Sequence, residues 1–394
     1  MVSEGGRRIA RPVSNSSLSA IKEMAMLSAA VPDVVSLAWG LPSFPTPEHI
    51  RSAVTIALAD DPDIGKYTLP NGLPALREQV AGHYFDRTGI EVDPQRNVFI
   101  TAGNMQGLHS LFRAVIEPGD EIILTDPGFA SHIQQIRLCD GVPVFWPLDE
   151  DSGWSLSVDL LPKLITERTK AIVIVTPCNP TGTLFGKEEL LQLGEIARAH
   201  KIPLFVDDPY SAFTYENKNK YFDLATQPEL ADQLAYLFTF SKCHAMSGWR
   251  LGYMILPEWL TREVLKLHDS TMICAPRVSQ VAGMAALGGG SDHIEEFSRV
   301  LSSRRELICA RLDRMPHVFQ YITPQGAYYV FPRIVAEHAD SFEFSLRLLN
   351  EARVTVTPGS AFGPSGEHHV RLAFCVAEDE INKAFDRIEQ LFPG

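Results

Sequence analysis

The segment NVFITAGNMQGLHSLFRAVIEPGDEIILTDP (Asn97–Pro127) contains a short apolar run, a longer amphipathic stretch and a second apolar run. The two runs have the length of buried strands, and the stretch between them has the apolar spacing of a helix. A strand, a helix and a second strand in this order are typical of a parallel sheet. The segment therefore predicts an α/β fold.

The same alternation continues along the chain. Helical candidates such as KEELLQLGEIARAH separate the further apolar runs VPVFWPL, AIVIVTP, IPLFVDD, LAYLFTFS and GYMILP. Buried strands separated by helices predict an α/β core with a mainly parallel sheet. Several runs end in glycine or polar residues. Because ligands bind at the carboxyl ends of such strands, we expect the functional site there.

The composition changes after Gly288–Gly290. Long helices (IEEFSRVLSSRRELICARLDRM), a hairpin-like segment (PQGAYYVFP) and two terminal helices follow, which predicts a second, smaller α+β domain. The opening segment SLSAIKEMAMLSAA has Leu18, Ile21 and Ala25 at helical spacing, so we expect it to pack against that domain. The predicted large domain is therefore 48–290, and the small domain combines 1–47 with 291–394.

Composition excludes several kinds of partner. Lys and Arg number 35 against 48 Asp and Glu, and the formal charge of −13 opposes attraction to nucleic acid or to an anionic membrane. No apolar segment follows the basic N-terminus, and no run reaches the ~20 apolar residues of a membrane span. Six cysteines without CxxC or metal-type spacing predict packing thiols and no metal site. We expect a cytoplasmic protein.

Lys242 is the first candidate site residue. It lies in TFSKCHAMSGWRLGY (Thr239–Tyr253), directly after an apolar strand run and between small residues. Most lysines lie on the surface, but this setting suits an amine held in a pocket. Such an amine can bond covalently to an aldehyde cofactor, for example pyridoxal phosphate.

A pyridoxal phosphate site also needs donors for the phosphate. In TAGNMQGL, Gly103 ends a strand while Asn104 and Met105 begin a helix. Free backbone N–H groups and the helix dipole favour anions at that position. Arg250 can add a bidentate contact to the phosphate, and Thr239 can add a hydroxyl.

The ring of the cofactor needs a carboxylate at its nitrogen and donors at its phenolate oxygen. VDDPY ends an apolar strand with Asp207 and Asp208, and a buried carboxylate there is costly unless it is paired. The pattern leaves open which aspartate serves the ring. Asn179 and Tyr210 are candidates for the phenolate oxygen, although NPTG is also a common turn sequence.

Five motifs in this order, NPTG, VDDPY, FSKCHAMSGWRLGY, TPGSAFG and VRLAF, resemble the class I/II aminotransferase family of fold-type I pyridoxal-phosphate enzymes. The resemblance runs from about Leu37 to the C-terminus. It implies a large domain with a mainly parallel seven-stranded sheet and a smaller α+β domain. It also implies a ping-pong transfer of an amino group between an L-α-amino acid and a 2-oxo acid.

The resemblance assigns roles to individual residues. Lys242 corresponds to the lysine that bonds covalently to pyridoxal phosphate, and Asp207, three residues before Tyr210, to the partner of the ring nitrogen. Asn179 and Tyr210 correspond to the phenolate contacts. The remaining cofactor contacts implied by the resemblance or by the helix start are Gly103, Asn104, Met105, Phe129 (stacked on the ring), Thr239 and Arg250.

Substrate binding and assembly also follow from the resemblance. Arg371 in HHVRLAF matches the arginine that holds the substrate α-carboxylate. Asn179 is also assigned to substrate binding, and Gly40 matches a segment that closes over the substrate. Tyr67 matches a tyrosine that reaches the cofactor phosphate of the neighbouring subunit. The chain is therefore expected to form a homodimer with shared active sites.

Departures from the family pattern leave alternatives open. Cys243 and His244 follow the lysine where many relatives carry threonine and an aromatic residue, and a pocket role for His244 stays open. Met105 replaces a lysine of some aspartate-specific relatives, which favours aromatic or other apolar substrates over aspartate. Arg277 either serves a distal carboxylate or faces solvent. His109 and His132 could approach the cofactor, but each is expected to be a structural histidine.

The cofactor motifs do not decide the reaction. A lyase, a cyclase or a side-chain-replacement enzyme would use the same cofactor site. A non-catalytic regulator with an aminotransferase-like domain is the other alternative, but no basic recognition helix precedes the domain.

Overall fold

The computed structural model describes residues 8–16, 18–215 and 221–394. Residues 1–7 and 17, which belong to the predicted small domain, lie outside the described residues. The strands are β1 (Val35–Ser36), β2 (Val98–Thr101), β3 (Glu121–Asp126), β4 (Val142–Asp149), β5 (Ser155–Leu156), β6 (Thr169–Val175), β7 (Leu204–Asp208), β8 (Leu234–Thr239), β9 (Gly252–Ile255), β10 (Phe319–Gln320), β11 (Tyr329–Val330), β12 (Arg333–Ile334), β13 (Val354–Thr355), β14 (Thr357–Pro358) and β15 (Val370–Ala373).

Helices cover both faces of the central sheet and form most of the remaining structure. They are α1 (Arg11–Ser14), α2 (Ala20–Ala29), α3 (Glu48–Asp60), α4 (Pro74–Thr88), α5 (Asn104–Val115), α6 (Ala130–Leu138), α7 (Leu161–Leu164), α8 (Lys187–His200), α9 (Glu258–Thr271), α10 (Arg277–Gly288), α11 (Asp292–Asp313), α12 (Ser341–Arg347) and α13 (Glu378–Leu391). None of the helices in the described ranges is long and apolar enough to cross a bilayer.

The central sheet has the strand order β2–β9–β8–β7–β6–β3–β4–β5. Its seven longer strands are the seven apolar runs of the sequence, which confirms the predicted α/β fold. Strands β4, β3, β6, β7 and β8 pair in parallel, whereas β9 is antiparallel to both neighbours. The two-residue strand β5 extends the sheet beyond the seven strands that we expected.

Two apolar layers enclose this sheet. Ile122 and Leu124 face the layer that contains α5, α6 and α9, whereas Ile123 faces the layer that contains α4, α8 and α10. Successive side chains of a strand point to opposite faces, and both faces of β3 are buried, so the run is apolar throughout. The carboxyl ends of five parallel strands therefore meet at one edge of a rigid, buried sheet.

The N-terminal and C-terminal parts of the chain form a common layer. Strand β1 pairs in parallel with β13, and α2 contacts β13 and β14. The expectation that the opening helix packs on the C-terminal part is confirmed, although its buried residue is Met24 and Leu18 is 64% exposed. The boundaries 48–290 and 1–47 with 291–394 stay a prediction.

The predicted hairpin PQGAYYVFP is wrong. Strand β11, which lies in this segment, pairs with β15 and not with a neighbouring part of the segment. The backbone N–H groups of Gln325 and Gly326 donate to the carbonyl of Gly182. The turn is thus bound to the NPTG loop of the large sheet, and the segment connects the two parts of the chain.

Candidate active site

A cavity of about 300 Å³ opens at the carboxyl edge of the sheet. The polar residues at the ends of β2, β6, β7 and β8 reach it together with residues of the C-terminal part. The sequence-predicted site residues that line it are Gly40, Asn104, Met105, Phe129, Asn179, Asp207, Tyr210, Thr239, Lys242, Arg250 and Arg371.

Two predicted site residues do not line this cavity. Gly103 lies directly behind it with φ +82°, and a Cβ there would be 2.7 Å from the Arg250 guanidinium. Glycine is therefore the residue that permits this approach. Tyr67 is 75% exposed and lies outside the cavity of its own chain.

Lys242 follows β8 and extends into the cavity. Its Nζ donates to the Gly40 carbonyl at 2.8 Å and lies 5.9 Å and 5.7 Å from the ring centroids of Tyr210 and Tyr328. Burial lowers the pKa of Lys242 to about 8, and the positive charges of Arg371 and Arg250 act in the same direction. An amine with this pKa is partly neutral near pH 8 and can act as a nucleophile or a base.

Asp207 is the penultimate residue of β7 and is 3% exposed. Asn104 Nδ2 donates to its Oδ1 at 2.6 Å, and His132 Nε2 lies 3.2 Å from its Oδ2. Asp208 points to the opposite face of the sheet, where it accepts hydrogen bonds from Arg87 and Tyr236. Strand alternation thus separates the two aspartates and places only Asp207 at the cavity.

His132, which we expected to be a structural histidine, contacts a predicted site residue. Its ring packs against Phe129 with centroids 5.2 Å apart, and its Nε2 reaches the Asp207 carboxylate. His109 lies on α5 and does not line the cavity. Nothing in the sequence around His132 marks this contact, since Asp207 is 75 residues away.

A second polar group surrounds Arg371 on β15. Its Nη1 donates to Asn179 Oδ1 at 3.1 Å, and its Nη2 donates to the Ala38 carbonyl at 2.6 Å. Its guanidinium lies 4.4 Å from the ring centroid of Tyr329. The Tyr329 hydroxyl lies 3.0 Å from that of Tyr210, and burial raises the pKa of Tyr210 well above its usual value. Tyr329 was not predicted as a site residue. It lies among apolar residues in GAYYVFP, and such a position is typical of an aromatic residue in the core.

A set of anion donors lies at the other end of the cavity. Arg250 has φ +53°, and its Nη1 donates to the Ser247 carbonyl at 2.9 Å. Thr239 Oγ1 donates to Ser241 Oγ at 2.9 Å. Helix α5 begins at Asn104 and directs its first N–H groups to this end. Ser241 was not predicted, although it lies beside Lys242 in the sequence.

These residues fit a phosphorylated pyridine aldehyde. The cavity volume is at the lower end of the range for small-ligand sites. It holds an amine, a buried carboxylate and a set of phosphate donors. Within the described residues, buried Asn104 Oδ1 and Arg371 Nε have no hydrogen-bond partner. Such groups are costly to bury unless a hydrogen-bond partner satisfies them.

The two residues with open roles lie elsewhere. His244 lines a separate cavity, and its Nδ1 is 3.0 Å from His293 Nε2. Burial lowers the pKa of His244 to about 3, with His293, His83 and His49 acting in the same direction. Arg277 pairs with Asp61 at 3.0 Å. Neither His244 nor Arg277 lines the cavity of Lys242.

Further residues that line the cavity were not predicted. They come mainly from the start of α2 and from the segment after β1. Besides Tyr329 and Ser241, they include Ser19, Ile21, Lys22, Ala38, Trp39, Ser131 and Ser247.

Comparisons with known proteins give a consistent result. The model of the family described as aminotransferase class I and II matches residues 32–388. The chain is 34% identical to an aspartate aminotransferase of Pyrococcus abyssi over 375 residues, which cover 95% of each chain. It is 33% identical to the aromatic-amino-acid aminotransferase 2 of Thermococcus litoralis, again over 95% of each chain. The solved aspartate aminotransferase of Thermus thermophilus with maleate superposes with a TM-score of 0.91 at 30% identity, covering 98% of this chain and 100% of that one.

Proposed function

The chain belongs to the class I and II aminotransferase family and is a pyridoxal-phosphate-dependent aminotransferase, and we propose that Lys242 binds the cofactor covalently and serves as the catalytic base. Amino acids and 2-oxo acids are its substrates. The observation that carries the assignment is that Lys242, Asp207 and Arg371 line one cavity, although they are far apart in the sequence. The lowered pKa of Lys242, to about 8, supports its role as base.

Arg371 holds the α-carboxylate of the substrate in this proposal. Its planar guanidinium suits bidentate binding of a carboxylate, and its unpartnered Nε supports that role. Because Asn179 also contacts Arg371, one polar group fixes the carboxylate and orients the Cα–H bond towards Lys242. Orientation of this kind decides which substrate bond is broken.

Lys242 removes the proton from the substrate Cα. When bound, pyridoxal phosphate supplies an electron-withdrawing ring that stabilises negative charge at this carbon. Asp207 presents its carboxylate to the ring nitrogen, and Tyr210 and Asn179 present polar groups to the phenolate oxygen. Arg250, Thr239 and the start of α5 hold the phosphate, with Gly103 allowing the arginine to approach.

Two cavity residues complete the proposal. Phe129 packs against the face of the cofactor ring. The contact between Phe129 and His132 supports this orientation of the phenyl ring. Gly40 accepts a hydrogen bond from Lys242 and closes the cavity over the substrate.

We further propose a homodimer in which Tyr67 reaches the phosphate of the partner subunit. The exposed Tyr67 side chain supports this arrangement, and exposed Leu69 extends the same segment. The Thr68 N–H donates to Cys274 Sγ, so exposed Met272 and Ile273 lie beside it. An apolar surface of this kind is typical of subunit interfaces. A cytoplasmic location is part of the proposal and is supported by the free cysteines.

The proposed substrate range favours aromatic and other apolar side chains over aspartate. Met105, Ile21 and Trp39 line the cavity and give it an apolar surface. The names of the relatives include both aspartate and aromatic-amino-acid aminotransferases, so they support more than one side-chain class.

The reaction can be tested on the purified holoenzyme without coupling enzymes. Phenylalanine, alanine, glutamate or aspartate is added singly, and the absorbance of the bound cofactor is followed. We expect a stoichiometric change with release of one 2-oxo acid per site, reversed by 2-oxoglutarate or pyruvate. A change that no 2-oxo acid reverses, together with release of ammonia, would contradict the proposal.

The role of Lys242 is tested separately. Lys242→Ala is expected to lose turnover entirely, because the base and the covalent attachment point are both removed. The exposed Lys163→Ala variant is the matched control and should keep wild-type turnover. Wild-type kcat in Lys242→Ala would refute the assignment.

A further inference from the structure

We propose that Tyr328 is a positioning residue for the catalytic amine: its hydroxyl fixes the Gly40 carbonyl in the direction that holds Lys242 Nζ for proton transfer. Tyr328 acts through Gly40 and does not itself line the cavity. This inference rests on the proposed function, because it needs Lys242 to be the base that removes the proton from the substrate Cα.

The Gly40 carbonyl oxygen accepts hydrogen bonds from both side chains. Lys242 Nζ donates to it at 2.8 Å, and Tyr328 Oη donates to it at 3.1 Å. A carbonyl oxygen has two lone pairs, so these two hydrogen bonds use its accepting capacity. While the hydroxyl occupies one lone pair, the amine can bond only at the other. The hydroxyl therefore restricts the amine to one side of the carbonyl.

The direction of the Tyr328 hydroxyl is set by the packing of its ring. The side chain is fully buried, and its ring centroid lies 5.2 Å, 4.9 Å and 5.9 Å from those of Tyr210, Tyr329 and Phe213. The Phe374 N–H donates to the Tyr328 carbonyl at 3.0 Å and holds the backbone. Because side chains in a close-packed interior keep one rotamer, the hydroxyl is oriented before the substrate binds.

The neighbouring Tyr329 holds Gly40 at a different atom. A Cβ at Gly40 would lie 1.8 Å from Tyr329 Oη, so this hydroxyl occupies the space that a larger residue would need. Tyr328 directly precedes β11, Tyr329 begins it, and β11 pairs with β15, which carries Arg371. The two tyrosines thus fix the Gly40 peptide relative to the arginine that holds the substrate.

A fixed acceptor matters when the amine of Lys242 is free. This amine ends a flexible stem of four carbon atoms, and the orientations that do not point to the substrate Cα lower the rate. With one N–H bonded to the Gly40 carbonyl, the neutral amine can direct its lone pair to the Cα–H bond. After the proton has moved to Nζ, the ammonium keeps the same carbonyl as its acceptor.

Tyr328→Phe removes the hydroxyl and keeps the buried ring. Stopped-flow measurement of the half-reaction with alanine gives the rate constant at saturation and the half-saturating concentration. We expect the rate constant to fall by about fivefold, the cost of one neutral hydrogen bond, while the half-saturating concentration stays within about twofold. An unchanged rate constant, or a weaker binding of alanine as the main effect, would overturn the proposal.

An isotope effect distinguishes positioning of the base from a general structural role. With Cα-deuterated alanine, the isotope effect on the rate constant of Tyr328→Phe should be at least as large as that of the wild type, because proton transfer is the step that slows. A smaller isotope effect would mean that the substitution slows another step, and it would contradict the role of Tyr328.

The apoproteins provide a readout without turnover. High-resolution crystal structures would show the position of Lys242 Nζ directly. In the wild type, we expect Nζ at about 3 Å from the Gly40 carbonyl oxygen. In Tyr328→Phe, we expect a second position of Nζ or a rotated Gly40 peptide. The same single position in both apoproteins would overturn the proposal.

Tyr84→Phe is the matched control, because Tyr84 is also buried and its hydroxyl donates to the Ala225 carbonyl outside the cavity. This variant should keep the rate constant and the isotope effect of the wild type. An equal decrease of the rate constant in both variants would overturn the specific role of Tyr328. Retention of turnover by Lys242→Ala would instead refute the proposed function.

Discussion

Asp207 accepts a hydrogen bond from Asn104 and contacts His132, and both contacts restrict the orientation of its carboxylate. The sequence predicted Asp207 because the spacing to Tyr210 in VDDPY is local. It could not predict His132, whose approach depends on how α6 packs beside β7. Site residues within one motif could thus be predicted from their spacing in the sequence. Contacts between distant elements could be found only in the folded structure.

We expect His132→Phe to lower kcat by about tenfold, the cost of one hydrogen bond to a charged group. The phenyl ring keeps the packing against Phe129 but has no polar atom for Asp207. Asp207→Asn should lower kcat further, because it removes the negative charge itself. Steady-state kinetics with phenylalanine and pyruvate would measure both effects.

His109→Phe is the control for this series, because His109 is half-buried and does not line the cavity. It should keep kcat near the wild-type value. A kcat for His132→Phe equal to that of the control would show that the contact with Asp207 does not matter for turnover.

His244 should make the folded protein sensitive to acid. Its pKa is lowered from 6.5 to about 3, mainly by burial and also by the neighbouring His293, His83 and His49. The unfolded chain therefore binds a proton below pH 6.5 that the folded chain does not bind. The free energy of unfolding should fall between pH 6.5 and about pH 3, by on the order of 5 kcal/mol at most.

Urea unfolding at a series of pH values would measure this dependence. His244→Phe should reduce the slope in that range, because the titrating group is absent. The exposed His200→Gln variant should keep the wild-type slope. An unchanged slope in His244→Phe would assign the acid sensitivity to other groups.

Among the elements, the connection between β2 and α5 determines where the phosphate donors lie. Gly103 ends this connection with φ +82°, and a Cβ at this position would meet the Arg250 guanidinium. The strand and the helix were predicted from their apolar runs. Those runs do not predict how close Arg250 lies, because its approach depends on the antiparallel pairing of β2 with β9.

Gly103→Ala should weaken cofactor binding by tenfold or more, because its Cβ would displace the Arg250 guanidinium and strain the backbone. We also expect the apoprotein to lose about 1–3 kcal/mol of stability. Fluorescence titration with pyridoxal phosphate and thermal unfolding would measure the two effects.

Gly82→Ala is the matched control, since nothing lies within 4 Å of a Cβ at this position of α4. This variant should gain up to about 1 kcal/mol of stability through helix propensity and keep its cofactor affinity. Equal cofactor affinities of the two variants would contradict the role of Gly103.

The sequence was most informative for the long, fully buried strands and least informative for the two-residue strands. Strands β5, β10 and β12 have only two residues each and no apolar run that distinguishes them from loops. The hairpin was wrong because β11 has its pairing partner in β15, about 40 residues further along the chain. Tertiary pairing, and not local preference, defines these short elements.

At the scale of the whole molecule, the proposed shared sites can be tested by complementation. Lys242→Ala and Tyr67→Ala should each be impaired as homodimers. A mixed dimer has one complete site, because Lys242 of one subunit meets Tyr67 of the other. Random mixing should restore about a quarter of the wild-type activity, since half of the dimers are mixed and each has one complete site.

The two variants would be purified separately, unfolded and refolded together, and the activity compared with that of each variant refolded alone. Mixing after refolding, without subunit exchange, is the control. Activity that never exceeds the average of the two parents would contradict sites shared between subunits.

The pairing of β1 with β13 has a consequence for the order in which the protein forms during synthesis. The strands of the central sheet leave the ribosome in sequence, with their helices between them, and can assemble before the C-terminal residues exist. Strand β1 cannot pair until β13 has been synthesised. Until then, α2 and Trp39 cannot take their final positions at the cavity. A nascent chain therefore completes this cavity only after β13 has been synthesised.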